Sequence, residues 1–144
     1  MKTCKLYVVR HGESVHNRDR ISSGQVNPEL TKKGKEQASI TKAKLANVHF
    51  DDVYSSDLQR AADTAAIIYG SPVPPEHQLI GLRERNMGIF DGKSYDLWQA
   101  SELAAHHHIQ KLNEKQKFHH KHHASIESHA EVSKRFIGTL ASIA

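Results

Sequence analysis

The chain is poor in cysteine, aromatics and long apolar runs, and each scarcity closes off a class of protein. Cys4 is the single cysteine of 144 residues, so an internal disulfide framework is excluded and a small structural role is expected for it. Aromatic residues make up 6%, and neither zinc-finger spacing nor an aromatic-and-basic surface motif of RNA-binding sheets is present, so no nucleic-acid partner is expected. No apolar run reaches membrane-spanning length, and a strand-like pattern begins directly after Cys4. A membrane partner and a secretory leader are therefore not expected, and a cytoplasmic location is.

What remains has the composition of one globular domain, 1–144, with 38% hydrophobic and 25% charged residues. The formal charge of +4 favours capture of anionic ligands. One stretch organises the rest. Lys5, Leu6, Tyr7, Val8 and Val9 are mostly apolar and β-favouring, and they run straight into Arg10, His11 and Gly12. That pattern predicts a buried strand whose carboxyl end turns sharply and presents a guanidinium and an imidazole, the place where α/β sheets collect ligands. Gly12 lets the backbone fold close to a bound group. Arg10 offers a rigid fork of donors matched to phosphate oxygens. A neutral His11 nitrogen can attack phosphorus and hold the phosphoryl group covalently. Asn17 can add a neutral donor to the same anion.

Further along, Ser23-Gly24 and Asn27-Pro28 are turn signals. Thr31 is placed as the N-cap of a helix whose Ala38, Thr41, Leu45 and Val48 share a face. Residues 52–55 read as a second short strand. The helix after it is capped by Ser56 or Asp57 and runs to Tyr69, stopped by Gly70 and Pro72. Pro72, Pro74 and Pro75 make a stiff link to a short strand over 77–82. A helix is expected from Ser94, and Ser128 with Glu131 has capping-box spacing ahead of a last helix bearing Val132, Phe136, Leu140 and Ile143. Strands alternating with helices predict an α/β fold, a three-layer α/β/α sandwich around a mainly parallel sheet.

The sequence Arg10-His11-Gly12-Glu13-Ser14 with Asn17 resembles the signature of the histidine phosphatase superfamily, which includes the phosphoglycerate mutases. Three more stretches resemble that family in order: 30–38, then 55–65 with Arg60 and Thr64, then Leu82-Arg83-Glu84-Arg85 followed by Gly88 and Gly92. The resemblance implies a phosphomonoester hydrolase that passes the phosphoryl group to His11 and then to water. Arg10 and Arg60 would clamp the phosphoryl oxygens and Glu84 would serve as general acid and base. Asn17, Ser23, Gly24 and Arg85 are the expected substrate contacts, the partner is a small phosphorylated metabolite, and neither metal nor other cofactor is required. The short loop 88–94 resembles the phosphatases more than the mutases. A mutase-type phosphotransferase and a catalytically impaired phospho-ligand module are the alternatives.

Two features depart from the family pattern. No His-Gly pair follows His11-Gly12, so the family's second pocket histidine and its strand have no match, which implies a chain truncated at its C-terminus. Residues 94–124 are dense in histidine and lysine, with His106, His107, His108, His119, His120, His122 and His123. This tract is expected to be a solvated insert or cap rather than a metal buffer.

Overall fold

The computed structural model describes residues 4–144. Its elements are six α-helices: α1 (Val15–Arg18), α2 (Lys32–Lys44), α3 (Gln59–Tyr69), α4 (Tyr95–Gln110), α5 (Glu114–His119) and α6 (His129–Ile143). Single 3-10 turns at Pro75–His77, Ile80–Leu82 and Gly88–Phe90 punctuate the stretch between α3 and α4.

The helices start and stop where side-chain chemistry tells them to. Thr31 caps α2 by accepting from the Gly34 amide, Ser94 caps α4, and Ser128 and Glu131 close a reciprocal box at α6. Gly70 ends α3 in the left-handed conformation, φ 99°. The α3 start differs from expectation: Leu58 occupies the cap position without a side-chain bond, and the Ser56 hydroxyl accepts from the Leu58 amide one step earlier. Helix α2 stops at Lys44, so Leu45 and Val48 lie past its end.

Of the expected sheet, the structure shows only isolated bridges. Among the described residues no strand forms, and β pairing is confined to isolated bridges, Ser14 with Leu30 and Ile21 with Ser94 antiparallel, Ser55 with Gln78 parallel. Residues 5–9, predicted as a buried strand, form no regular element and are exposed, with Val8 72% exposed. Residues 77–82 form turns instead of a strand. A strand needs a neighbour on its hydrogen-bonding edge: residues 5–9 have no backbone partner among the described residues, whereas Ser55 bonds His77 and Leu79 in a single bridge that does not extend. The apolar core is correspondingly small, centred on Leu30, Ala38, Leu58, Ala62, Val73, Trp98 and Ile126. Helix α2 packs on α3, and α6 packs on the turn at Ile80–Leu82 and on α5.

Of the histidine tract, His106, His107, His108, His119 and His123 are exposed, whereas His120 and His122 are half-buried. The His122 ring lies 4.7 Å from that of buried Trp98 and 5.3 Å from His120, and burial pushes the His122 imidazole below its ordinary range. Trp98 anchors the tract by also meeting Phe90 edge-on at 5.4 Å. Among the described residues no group of three or more His, Cys, Asp and Glu side chains is placed to hold a metal ion.

Candidate active site

The His11 imidazole is held at both nitrogens. Nδ1 lies 2.7 Å from the Gly12 carbonyl oxygen, and Nε2 accepts from Arg60 Nε at 3.1 Å. A carbonyl can only accept, so Nδ1 carries the proton, and a guanidinium can only donate, so Nε2 presents its lone pair. Burial, with smaller contributions from the Arg60 and Arg10 charges, holds the His11 pKa below its ordinary value against the opposing Gly12 bond and Glu84. A neutral imidazole whose Nε2 carries no proton, its lone pair held by a hydrogen bond from Arg60, is the form a nucleophile requires.

Arg60 is 1% exposed, and its other two nitrogens donate to the Val26 carbonyl at 2.7 Å and the Gly24 carbonyl at 2.8 Å. The nearby carboxylates are not its partners: Asp57 is bonded by Arg83 and Asp63 by Gln59. Its charge is opposed by burial and supported by Glu84 and Asp91. Thr64, one turn further along α3, accepts from the Gly12 amide at 3.1 Å and donates to the Arg60 carbonyl at 2.7 Å, tying the His11 loop to the helix that carries Arg60.

A cavity of about 580 Å³ opens beside this pair, and Arg10, His11, Arg60, Glu84 and Arg85 all line it. The other expected contacts sit elsewhere. The Asn17 carboxamide oxygen accepts from the Ser14 amide in the capping box of α1, and Ser23 and Gly24 are outside the cavity wall. Gly24 acts through its carbonyl on Arg60. Its φ of +42° and the Asp91 carboxylate, 1.6 Å from where a Cβ would sit, leave room for glycine only.

Glu84 is exposed on the cavity rim, its carboxylate accepting from the Arg85 amide at 2.9 Å. Of the two flanking arginines, Arg83 is spent on Asp57, whereas Arg85 bonds the Glu127 carbonyl through Nε and leaves a terminal nitrogen buried without a protein partner. Sequence reasoning missed what fixes this loop. Arg135 of α6 donates to the Gly81, Arg83 and Glu84 carbonyls, and Glu127 neutralises it at 2.8 Å. No motif signals these two residues, because the bonds they make are to backbone atoms far away in sequence. Arg135→Ala is expected to release the Glu84 loop, costing about 2 kcal/mol in urea unfolding and lowering turnover more than substrate affinity.

The family model of the histidine phosphatase superfamily (branch 1) matches residues 6–144, and the chain belongs to that family. It is 38% identical over 98 residues to fructose-2,6-bisphosphatase TIGAR B of Danio rerio, covering 65% of this chain and 38% of that one. It is also 38% identical over 96 residues to the 2,3-bisphosphoglycerate-dependent phosphoglycerate mutase of Bartonella bacilliformis, covering 63% and 47%. The chain thus spans less than half the length of these curated relatives. Among solved structures, Bacillus stearothermophilus YhfR superimposes with a TM-score of 0.77 at 29% identity, covering 93% of this chain and 64% of that one. The Bacillus anthracis phosphoglycerate mutase gives 0.76 at 26%, covering 92% and 64%. The fold is that of the phosphoglycerate mutase-like histidine phosphatases.

Proposed function

We propose that the chain is a phosphomonoester hydrolase working through a phosphohistidine at His11. The observation that carries this reading is the His11–Arg60 pair, a neutral imidazole whose unprotonated Nε2 is oriented by a buried guanidinium at one point of the cavity wall. His11 Nε2 attacks phosphorus, the bond to the leaving oxygen breaks, and that oxygen takes a proton from Glu84. Water, deprotonated by Glu84, then attacks the phosphohistidine and releases inorganic phosphate. Arg10 and Arg60 stabilise the charge on the transferring group throughout. The substrate class is a small phosphorylated metabolite, and no step needs a metal. The likeness to a phosphoglycerate mutase supports a second reading in which the phosphoryl group returns to an acceptor hydroxyl instead of water.

The test is phosphate release from a panel of phosphomonoesters with a chelator present. Turnover in the parent and its loss in His11→Ala is the expected result. Transfer between glycerate positions with little free phosphate favours the mutase, and binding without turnover favours a phospho-ligand module. Because the His11 pKa lies below 6.5 in the folded chain, the acid limb of kcat/KM assigned to the nucleophile is expected below pH 6.5. The linked stability contribution has the same direction. The unfolded chain takes up the proton at higher pH than the folded one, so stability is retained above pH 6.5 and falls as pH drops through 6.5 toward the folded value. Urea midpoints between pH 5 and 8 for the parent and His11→Ala measure it.

A further inference from the structure

Among the described residues, the exposed Glu84 carboxylate accepts only from the amide of the next residue, Arg85. A carboxylate bonded to nothing but its own stretch of backbone points where that backbone points, so its aim is set by what supports the backbone. The support acts on the peptide that links Glu84 to Arg85. Two donors reach the carbonyl of that peptide: Arg135 Nη2 of α6 at 3.0 Å and the side-chain amide of Gln25 at 3.2 Å. Arg135 ties the peptide to α6. Gln25 ties it to the half of the site that carries Arg60.

Gln25 lies in a segment fastened to α3. The Gly24 and Val26 carbonyls on either side of it accept from Arg60 at 2.8 and 2.7 Å. The Asn27 carboxamide oxygen accepts from the Gln59 amide at 2.7 Å, one of the donors that the first turn of a helix leaves without an internal partner. Residues 24–27 are therefore fixed relative to α3 and to the guanidinium that orients His11. From that base Gln25 reaches the 83–91 stretch three times. Nε2 donates to the Glu84 carbonyl, Oε1 accepts from Arg83 Nη1 at 3.3 Å, and the backbone amide donates to the Asp91 carboxylate at 3.3 Å. A carbonyl only accepts and a guanidinium only donates, so the carboxamide fits one way round.

We infer that Gln25 is a positioning residue, a strut between the Arg60 clamp and the Glu84 loop that keeps the Glu84 carboxyl within reach of the leaving oxygen; this role rests on the phosphatase reading. Gln25 is outside the cavity wall, so it acts through Glu84 and not on the substrate. The step it serves is proton transfer to the departing oxygen. Arg60 stabilises the phosphoryl group whatever the leaving group is, whereas Glu84 matters in the first transfer only where the departing oxygen needs a proton. An alkoxide is too strong a base to depart without one, and 4-nitrophenolate departs bare. Because kcat/KM covers events only as far as that departure, the later action of Glu84 on water does not enter it. A misaimed Glu84 therefore lowers kcat/KM on alkyl esters alone. A displaced Arg60, or a generally loosened fold, lowers both kinds of ester alike.

The test compares the 144-residue chain with Gln25→Met, which keeps the length of the side chain and removes its donor and acceptor. On glycerol 3-phosphate kcat/KM is expected to fall at least about tenfold, and on 4-nitrophenyl phosphate less than about twofold. In a Glu84→Gln background the proton donor is already gone, and there Gln25→Met is expected to add less than about twofold on the alkyl ester. Equal losses on the two esters, no loss on either, or an undiminished loss in the Glu84→Gln background overturns the proposal. Gln25→Glu still accepts from Arg83 but cannot donate to the Glu84 carbonyl, and it is read in the same way if Gln25→Met does not fold. A parent that turns over neither ester defeats the phosphatase reading, and the strut is then judged by hydrogen exchange at the Arg85 amide, the N–H of the same peptide. Exchange there is expected to quicken at least about fivefold in Gln25→Met with α2 unchanged, and an unchanged rate overturns the strut.

Discussion

Arg60→Ala is expected to lower phosphate release by at least about a thousandfold and to destabilise the chain by roughly 4 kcal/mol. The stability loss comes from what the guanidinium leaves behind. With Arg60 1% exposed, its removal strips donors from the Gly24 and Val26 carbonyls and from His11 Nε2 in a place water reaches poorly, and each unsatisfied buried acceptor costs about 1 to 3 kcal/mol. The catalytic loss is separate, because the same side chain orients the His11 imidazole and, in the proposed mechanism, stabilises the phosphoryl group. Arg60→Lys divides the two effects. An ammonium keeps the charge but cannot span two carbonyls and an imidazole in one plane. Lysine is therefore expected to recover about half the stability and leave turnover at least about a hundredfold down. Urea unfolding and phosphate release, measured at a temperature where both variants are folded, check this. Equal turnover in the lysine variant and the parent would show that Arg60 acts by charge alone.

The parts of the fold legible in the sequence are those encoded within a few residues. Thr31, Ser94, Ser128 and Gly70 mark helix ends through bonds reaching two to four positions, and the structure keeps each one. The pocket core was legible for a different reason: Arg10, His11, Arg60 and Glu84 lie in motifs the family shares, and all four line one cavity. What the sequence did not show was how segments pair and which distant side chains they meet. Residues 5–9 have the composition of a buried strand, yet pairing is a property of two segments, and composition cannot say whether the second is present. Asn17 reads as an anion donor because of its type, but its position three after Ser14 commits its oxygen to a capping box, a local pattern that could have been read. His122 reads as solvated because its neighbours are lysines and histidines, while in space its neighbour is Trp98.

Gly12→Ala is the second large effect, and here the reason differs from the one the sequence offers. Gly12 stands in a motif where backbone is expected to approach a bound group, but its nearest neighbour is protein: a Cβ would lie 2.2 Å from the Gly34 carbonyl oxygen and 2.7 Å from its carbon. The contact is reciprocal, since a Cβ on Gly34 would lie 2.1 Å from the Glu13 oxygen. Neither backbone can yield, because the Thr31 amide bonds the Glu13 carbonyl at 2.9 Å, the Val15 amide bonds Glu29 at 2.9 Å and the Glu13 amide bonds Gln37 at 2.8 Å. Opening the interface by even an ångström breaks several of these bonds and carries His11 away from Arg60. Gly12→Ala is expected to cost about 3 kcal/mol and to remove most turnover at temperatures where the variant remains folded. Gly34→Ala gives the sharper comparison. In a helix interior this exchange ordinarily stabilises by about 1 kcal/mol; here the sign is expected to reverse. Gly138 of α6 has nothing within 4 Å of its missing Cβ, so Gly138→Ala should show the ordinary gain. A stabilised Gly34→Ala variant in the same urea series would mean that the His11 loop is not anchored to α2 through this backbone contact, and the site would then owe its rigidity to the Thr64 bonds alone.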